Sequence, residues 1–557
     1  MRRHPSFFIV PVAAVSLFSC QPPSGISSPG VDAALACIRP EAIRAHIRFL
    51  ADDLLEGREA GTRGFDLAAT YVASAFESMG FEPAGLNETY FQEVAFRTGV
   101  VDFGQSSLTL IRDGWKKDLE IGKDYILSAD FQQESVQLRA PLVFVGFGIS
   151  APELNYDDYA GVNAEGKIAV MLHGAPATFP NSQRAHYSGW PKLENAIAHG
   201  AVGVLNILLA EDEKRIPWSR VAEHAREPGM KWIDADGRPR PFWPEIRGVG
   251  LLSRETAEEI FAYAPVSLPE VFSHAEAGKL RGFDIPLEAE MVTVTHHGEA
   301  QSPNVIAKLP GTDSRLRDEY LVYSAHLDHD GIKEAMDGDS IFNGAYDNAS
   351  GTAVLLEIAR AFKCLPDAPK RSILFLVTTA EEKGLLGADY FARHPTVPRE
   401  SLVADINLDM ALMLYPIRDL VVFGAEHSSL GETYRQVADR MGLDLSPDPM
   451  PEEVLFVRSD QYPFVRQGIP AAFTIVGLQS GDPDVDGAAA VQDWLATVYH
   501  TPKDDFSQDM NFQTGTTYAG VNFLAGYLVA QASERPAWNE GDFFGAEFGG
   551  QEENSRR

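Results

Sequence analysis

The hydrophobic pattern divides the chain into two regimes. From Pro40 the apolar positions recur at helical spacing. "PEAIRAHIRFLADDLLEG" reads as an amphipathic helix with Pro40 near its start and Gly57 past its end. "GFDLAATYVASAFESMGFEP" predicts a second helix that stops at Gly80, and strand-like runs such as "SSLTLIRD" follow. Near Gln137 the texture changes. "LRAPLVFVGFGI", "GKIAVMLHG" and "AVGVLNILLA" are short strands interleaved with turns and a helix, and they suggest a separate β-rich α/β insert over 137–285. Within it, "RVAEHAREPGMKWIDADGRPRPFWPEIRG" reads as a long polar loop. After "SPNVIAKLPG", strands that are apolar throughout alternate with helices: "YLVYSAHLDH", "GTAVLLEIARAFK", "RSILFLVTTAEE", "LLGADYFARH", "LVADINLDM" and onward to "GVNFLAGYLVAQAS". Strands apolar on both faces belong to a sheet covered on both sides. The expected fold class is therefore α/β, with a mostly parallel central sheet, helices on both faces, and the insert. The main domain would comprise residues 40–136 and 286–534.

The ends read differently. "MRRHPSFFIVPVAAVSLFSC" carries two arginines and then an apolar run, the pattern of a secretory signal over residues 1–20. Its "LFSC" end also resembles a bacterial lipobox, which would acylate Cys20 and attach the protein to a membrane. Export to the periplasm, to the outer membrane as a lipoprotein, or to the medium is expected. Residues 21–39 are rich in Pro, Gly and Ser and read as a tether. Residues 535–557 read as a mobile acidic tail. Cys37 and Cys364 could pair in an oxidising compartment, and Cys364 alone would be a buried thiol.

Charge narrows the partners. With 79 acidic and 47 basic residues the formal net charge is -32. A general field of that sign does not attract nucleic acid or anionic lipid.

The chemistry lies at the strand ends. Ligands of open α/β sheets bind beyond the carboxyl ends of the strands. There the sequence places His326 and Asp328, then Asp347 before a helix, then Glu381 and Glu382, then Asp409, and later Tyr499 and His500. Imidazoles and carboxylates in that mixture suit zinc. Two Zn²⁺ carry four positive charges, which three carboxylate ligands and a hydroxide would balance. The adjacent pair Glu381 and Glu382 fits the same picture. Neighbours on an extended chain point different ways, so one can hold a metal while the other handles a proton.

The stretches "HLD", "GAYDNASG", "AEEKGLLG", "NLDM" and "YHTPKD" together resemble the zinc exopeptidase family of bacterial leucyl aminopeptidases, glutamate carboxypeptidases and glutaminyl cyclases. The resemblance covers roughly residues 40–130 and 286–530. It implies that His326 and Asp409 hold one zinc, that Glu382 and His500 hold the other, and that Asp347 bridges. It further implies Glu381 as general base, Asp328 as the residue orienting His326, and Tyr499 as the hydroxyl that polarises the scissile carbonyl. The implied reaction is attack of a water shared by two zinc ions on the first peptide bond of a short peptide. The insert in turn resembles a protease-associated domain, which in relatives caps or borders the cleft. His329 and Asp330 continue "HLDHD" and read as loop residues shaping the cleft. One departure stands out: in "VRSDQYPFVRQ" Gln461 occupies a position where relatives often carry His. Two alternatives keep the fold. A carboxypeptidase or dipeptidase would need basic residues for a terminal carboxylate, with Arg418 and Arg458 as candidates. A non-catalytic binding protein would have lost ligands.

Overall fold

The computed structural model describes residues 26–215 and 217–550. The signal segment and Cys20 lie outside the described residues.

The main sheet is built from side chains that alternate between two cores. The strands Tyr320–His326, Ser372–Thr378, Leu402–Leu408 and Ala471–Val476 are parallel neighbours in the spatial order 372–378, 320–326, 402–408, 471–476. Along two of them Leu321, Tyr323, Ile373 and Phe375 enter the core on one face, whereas Val322, Leu374 and Leu376 enter the core on the other. The first core is closed by the helices Pro40–Leu50, Arg63–Ser78, Gly351–Lys363, Leu430–Met441 and Phe512–Gln531. The second is closed by Leu386–Arg393 and Gln461–Val465. Helices thus flank a central sheet on both faces. The parallel run ends in antiparallel strands, Phe283–Leu309 beside 372–378 and Asp419–Phe423 beside 471–476.

The strand Phe283–Leu309 is 27 residues long and serves two sheets. Its second half pairs with Phe91–Val101 and Ser372–Thr378 in the main sheet. Its first half pairs with Ser107–Arg112 and Ser135–Phe144 in a second sheet. There Ser135–Phe144, Ile168–Leu172, Gly203–Ile207 and Val249–Leu252 run parallel over a separate core that includes Leu108, Leu142, Val170, Leu205, Phe261 and Met291. This second core draws on residues from 101 to 291, so it takes in strands upstream of residue 137.

Three stretches differ from their sequence reading. The stretch read as a polar loop contains a helix, Trp218–His224, and a strand, Gly229–Ile233, that joins the main sheet beside Phe91–Val101. The pattern Met230, Trp232 buries alternate residues there. The tether is folded too. Ser28 caps a helix over Pro29–Leu35, Val31 and Ala34 are buried, and a disulfide joins Cys37 to Cys364. The tail, expected to be mobile, packs onto the body as far as residue 550. Phe544 and Phe548 lie in a core with Val421, Phe456 and Phe473, Trp538 Nε1 donates to the Gly468 carbonyl at 3.0 Å, and His427 meets Asp542 at 2.6 Å. Its phenylalanines bury more apolar surface than its acidity can keep in water. Among the described residues no helix is long and apolar enough to cross a membrane.

Phe544→Ala is expected to cost the main domain about 3–5 kcal/mol in denaturant unfolding. A mobile tail would give no change.

Candidate active site

Five of the candidate side chains stand at or just beyond the carboxyl ends of parallel strands, and Asp347, Tyr499 and His500 come from the loops beside them. His326 is the last residue of its strand and Asp328 lies two beyond it. Glu381 and Glu382 follow Ser372–Thr378, and Asp409 follows Leu402–Leu408. Asp347 precedes the helix Gly351–Lys363, and His500 follows the helix Gly487–Thr497. Strand direction therefore gathers at one sheet edge residues that are distant in sequence. His326, Asp347 and Asp409 are 1%, 3% and 7% exposed, too dry for carboxylates without compensation.

The oxygens are divided between two places. Asp347 Oδ1 lies 3.3 Å from His326 Nε2, and Asp347 Oδ2 lies 3.2 Å from His500 Nε2. His326 Nε2 is also 3.2 Å from Asp409 Oδ1, and His500 Nε2 is 3.5 Å from Glu382 Oε2. Ligand atoms on one tetrahedral zinc, with bonds of 2.0–2.1 Å, stand about 3.3 Å apart. The separations match that edge length. The outward oxygens of the two terminal carboxylates are occupied elsewhere. Ser459 Oγ donates to Asp409 Oδ2 at 2.7 Å, and His329 Nδ1 meets Glu382 Oε1 at 2.8 Å. Each carboxylate thus keeps one oxygen for the donor set, while Asp347 presents one to each set. Three overlapping groups have donor atoms within 4.8 Å of one another: His326, Glu381 and Asp409; His326, Asp347 and Glu382; and Asp330, Glu382 and His500. The donor set fits metal ions.

The surroundings fix these orientations. The Asp328 carboxylate accepts from the Glu381 and Glu382 amides at 3.1 and 3.2 Å. His326 Nδ1 meets the Asp328 backbone carbonyl at 3.1 Å. Asp328 therefore orients His326 through its main chain and the glutamate pair through its side chain. Asp504 accepts from the Tyr346 and Asp347 amides at 2.8 and 3.0 Å. Arg58, fully buried, lies beneath and donates to the carbonyls of Leu327 and Gly344, both at 2.9 Å. Burial lowers its pKa to about 10, while Asp504, Asp328, Asp347 and Glu382 favour its charge.

Proton affinities are set by the same contacts. Burial opposes ionisation of Asp347, yet hydrogen bonds from His326 and His500 hold its carboxyl well below the ordinary range. Burial pushes Glu381 well above its ordinary range; His326 opposes this, and Glu382, Asp409 and Asp460 add to it. Among the described residues none donates a hydrogen bond to the Glu381 carboxylate. Burial also raises the Tyr499 phenol, helped by Asp347 and Glu382, so it keeps its proton; its ring centroid lies 4.1 Å from that of His500.

All eight sequence candidates converge here. Arg58, His329, Asp330, Ser459 and Asp504 have supporting roles that the sequence reading did not assign. Asp504 sits inside the "YHTPKD" motif, and His329 and Asp330 adjoin "HLD"; position beside a motif was their only signal. Gln461 is buried and fully engaged: it accepts from Asn407 Nδ2 at 2.9 Å and donates to the Phe456 carbonyl at 2.7 Å. It supports Asn407, which donates to Ser459 at 2.8 Å, and does not face the cleft. Arg458 pairs with Glu453 at 3.0 Å, and Arg418 is exposed.

Parts of the chain are similar to known proteins. The aminopeptidase YwaD of Bacillus subtilis (strain 168) is 32% identical over 165 residues, which are 29% of this chain and 32% of that protein. A glutamate carboxypeptidase 2 homolog of Caenorhabditis elegans is 22% identical over 429 residues, 67% of this chain and 51% of that protein. The matches therefore span about a third to a half of these relatives. The aminopeptidase structure from Aneurinibacillus sp. strain AM-1 superposes with a TM-score of 0.52 at 19% identity, covering 91% of this chain and 97% of that one, and so shares the fold. Residues 304–520, the segment that carries all eight site residues, match Peptidase family M28.

Proposed function

We propose that the chain is a zinc-dependent exopeptidase of the aminopeptidase type, a member of the M28 family that releases N-terminal residues from short peptides. The carrying observation is the divided Asp347 carboxylate, with one oxygen toward each histidine. That geometry supports two ions, one held by His326 and Asp409, the other by Glu382 and His500. Zinc in both donor sets would supply Lewis-acid charge for a water nucleophile and for the oxygen of the scissile carbonyl.

The chain's own residues supply the rest. Among the described residues none donates a hydrogen bond to the Glu381 carboxylate, and burial raises its proton affinity. It takes the proton of the attacking water and delivers it to the leaving amine. The protonated Tyr499 hydroxyl donates toward the carbonyl oxygen as negative charge develops there. The acidic cluster favours a substrate's free α-ammonium. The second sheet and its core are read as a protease-associated module bordering the cleft. The Cys37–Cys364 disulfide supports export, because such bonds persist in oxidising compartments.

Three outcomes test this reading. Peptides with a free amine should be cleaved and their N-acetylated forms spared; cleavage of the N-acetylated forms alone would contradict the aminopeptidase reading, and cleavage of both only while the C-terminal carboxylate is free would favour a carboxypeptidase. Glu381→Ala should retain its metal and lose turnover by about 10²-fold or more, the scale of a missing general base. Asp347→Ala should deplete metal at both donor sets in elemental analysis, whereas loss from one set alone would contradict the bridging role.

A further inference from the structure

His500 is held from outside the main domain. Its backbone sits at φ 52°, in the left-handed region that is uncommon for non-glycine residues. One contact that holds it comes from the helix Trp218–His224: Arg220 donates from a guanidinium nitrogen to the His500 carbonyl at 3.1 Å. That helix is tied to the second sheet's side of the molecule, where Trp218 Nε1 donates to the Gly122 carbonyl at 3.1 Å.

A second path from the same segment reaches the His500 ring. Glu227 lies 3.2 Å from Lys333 Nζ, and Lys333 Nζ lies 2.8 Å from Asp330 Oδ1. The other oxygen, Asp330 Oδ2, is buried without a hydrogen-bond partner and stands 3.4 Å from His500 Nδ1. A metal-binding imidazole commonly directs its second nitrogen at a carboxylate, which fixes the ring's orientation. Asp330 occupies that place, and Lys333 aims it.

Among the described residues, the contacts that hold the other donor set come from elsewhere. His326 is oriented by the Asp328 carbonyl, and its own carbonyl accepts from Thr352 Oγ1 at 3.0 Å. Asp409 is held by Ser459. All of these belong to the main domain. The segment 218–227 therefore reaches one donor set and not the other.

We infer that Arg220 and Glu227 are positioning residues for His500, so that the metal held by Glu382 and His500 is retained tightly only when the segment 218–227 is docked on the main domain. The inference rests on the two-zinc reading above. It makes the two sites unequal in a defined direction: loosening the segment frees one ion first.

The test uses the full chain loaded with zinc and titrated with a chelator, with metal release followed directly. Wild type should hold two zincs. Arg220→Ala should release one of them at about tenfold lower chelator or less, the scale of a lost outer contact to a metal ligand, and keep the other unchanged. Glu227→Gln should do the same more weakly, and Arg220→Lys, which can still reach a carbonyl, should recover part of the loss. Arg139→Ala, which removes a charge paired with Glu288 inside the second sheet, is the control and should match wild type. Metal-free melting of the Arg220 variants together with wild type separates metal retention from misfolding. Release profiles of both Arg220→Ala and Glu227→Gln identical to wild type, or equal loosening of both zincs, would overturn the inference. A wild type that never holds two zincs would overturn the functional reading itself, and the inference with it.

Discussion

Carboxylate crowding governs this molecule. Asp347, Glu381, Glu382 and Asp409 meet at one sheet edge, mostly shielded from water. Two unit charges 4 Å apart repel by about 4 kcal/mol even at an effective dielectric of 20. A whole domain is stable by only about 5–15 kcal/mol. Several such pairs cannot persist uncompensated. Three histidines and the buried Arg58 offset part of the repulsion. The paired oxygen directions offer places for cations to offset the rest. The acidity that would destabilise an ordinary core would thus favour cations in the candidate donor sets.

The sheet makes that crowding reproducible. Parallel strands deliver their last residues to one edge, and each is fixed by packing on both faces. The terminal carboxylates are then aimed by single contacts, Ser459 on Asp409 and His329 on Glu382, so that the remaining oxygens face inward. Among the described residues none donates to the Glu381 carboxylate. On the proposed reading, the carboxylates with one oxygen tethered and one turned inward would hold metal, and the untethered Glu381 would move a proton. The long strand Phe283–Leu309 ties this apparatus to the second sheet, because one continuous backbone pairs in both.

The sequence showed what depends on local pattern. The strands 320–326, 372–378 and 402–408 were legible because apolar side chains dominate both faces of each; the buried exceptions Ser324, Asp405 and Asn407 hydrogen-bond to one another across neighbouring strands. The eight candidate residues could be named from the sequence because several stand at strand ends and because five short motifs occur together; the structure brings them to one place. What was not legible depends on distant partners. The helix Pro29–Leu35 looks like linker until a disulfide and the main core hold it. Residues 535–550 look like a solvated end until Phe544 and Phe548 find the pocket formed by Val421, Phe456 and Phe473. Arg58 carries no motif; its meaning comes from carbonyls nearly three hundred positions away. Gln461, which stands where relatives often carry His, is a buried partner of Asn407.

The most direct measurement is anomalous scattering at the zinc edge from crystals of the zinc-loaded protein. The account predicts two peaks about 3.5–4 Å apart, one against His326 and Asp409, the other against Glu382 and His500, with Asp347 touching both. A single peak, or peaks away from Asp347, would contradict it.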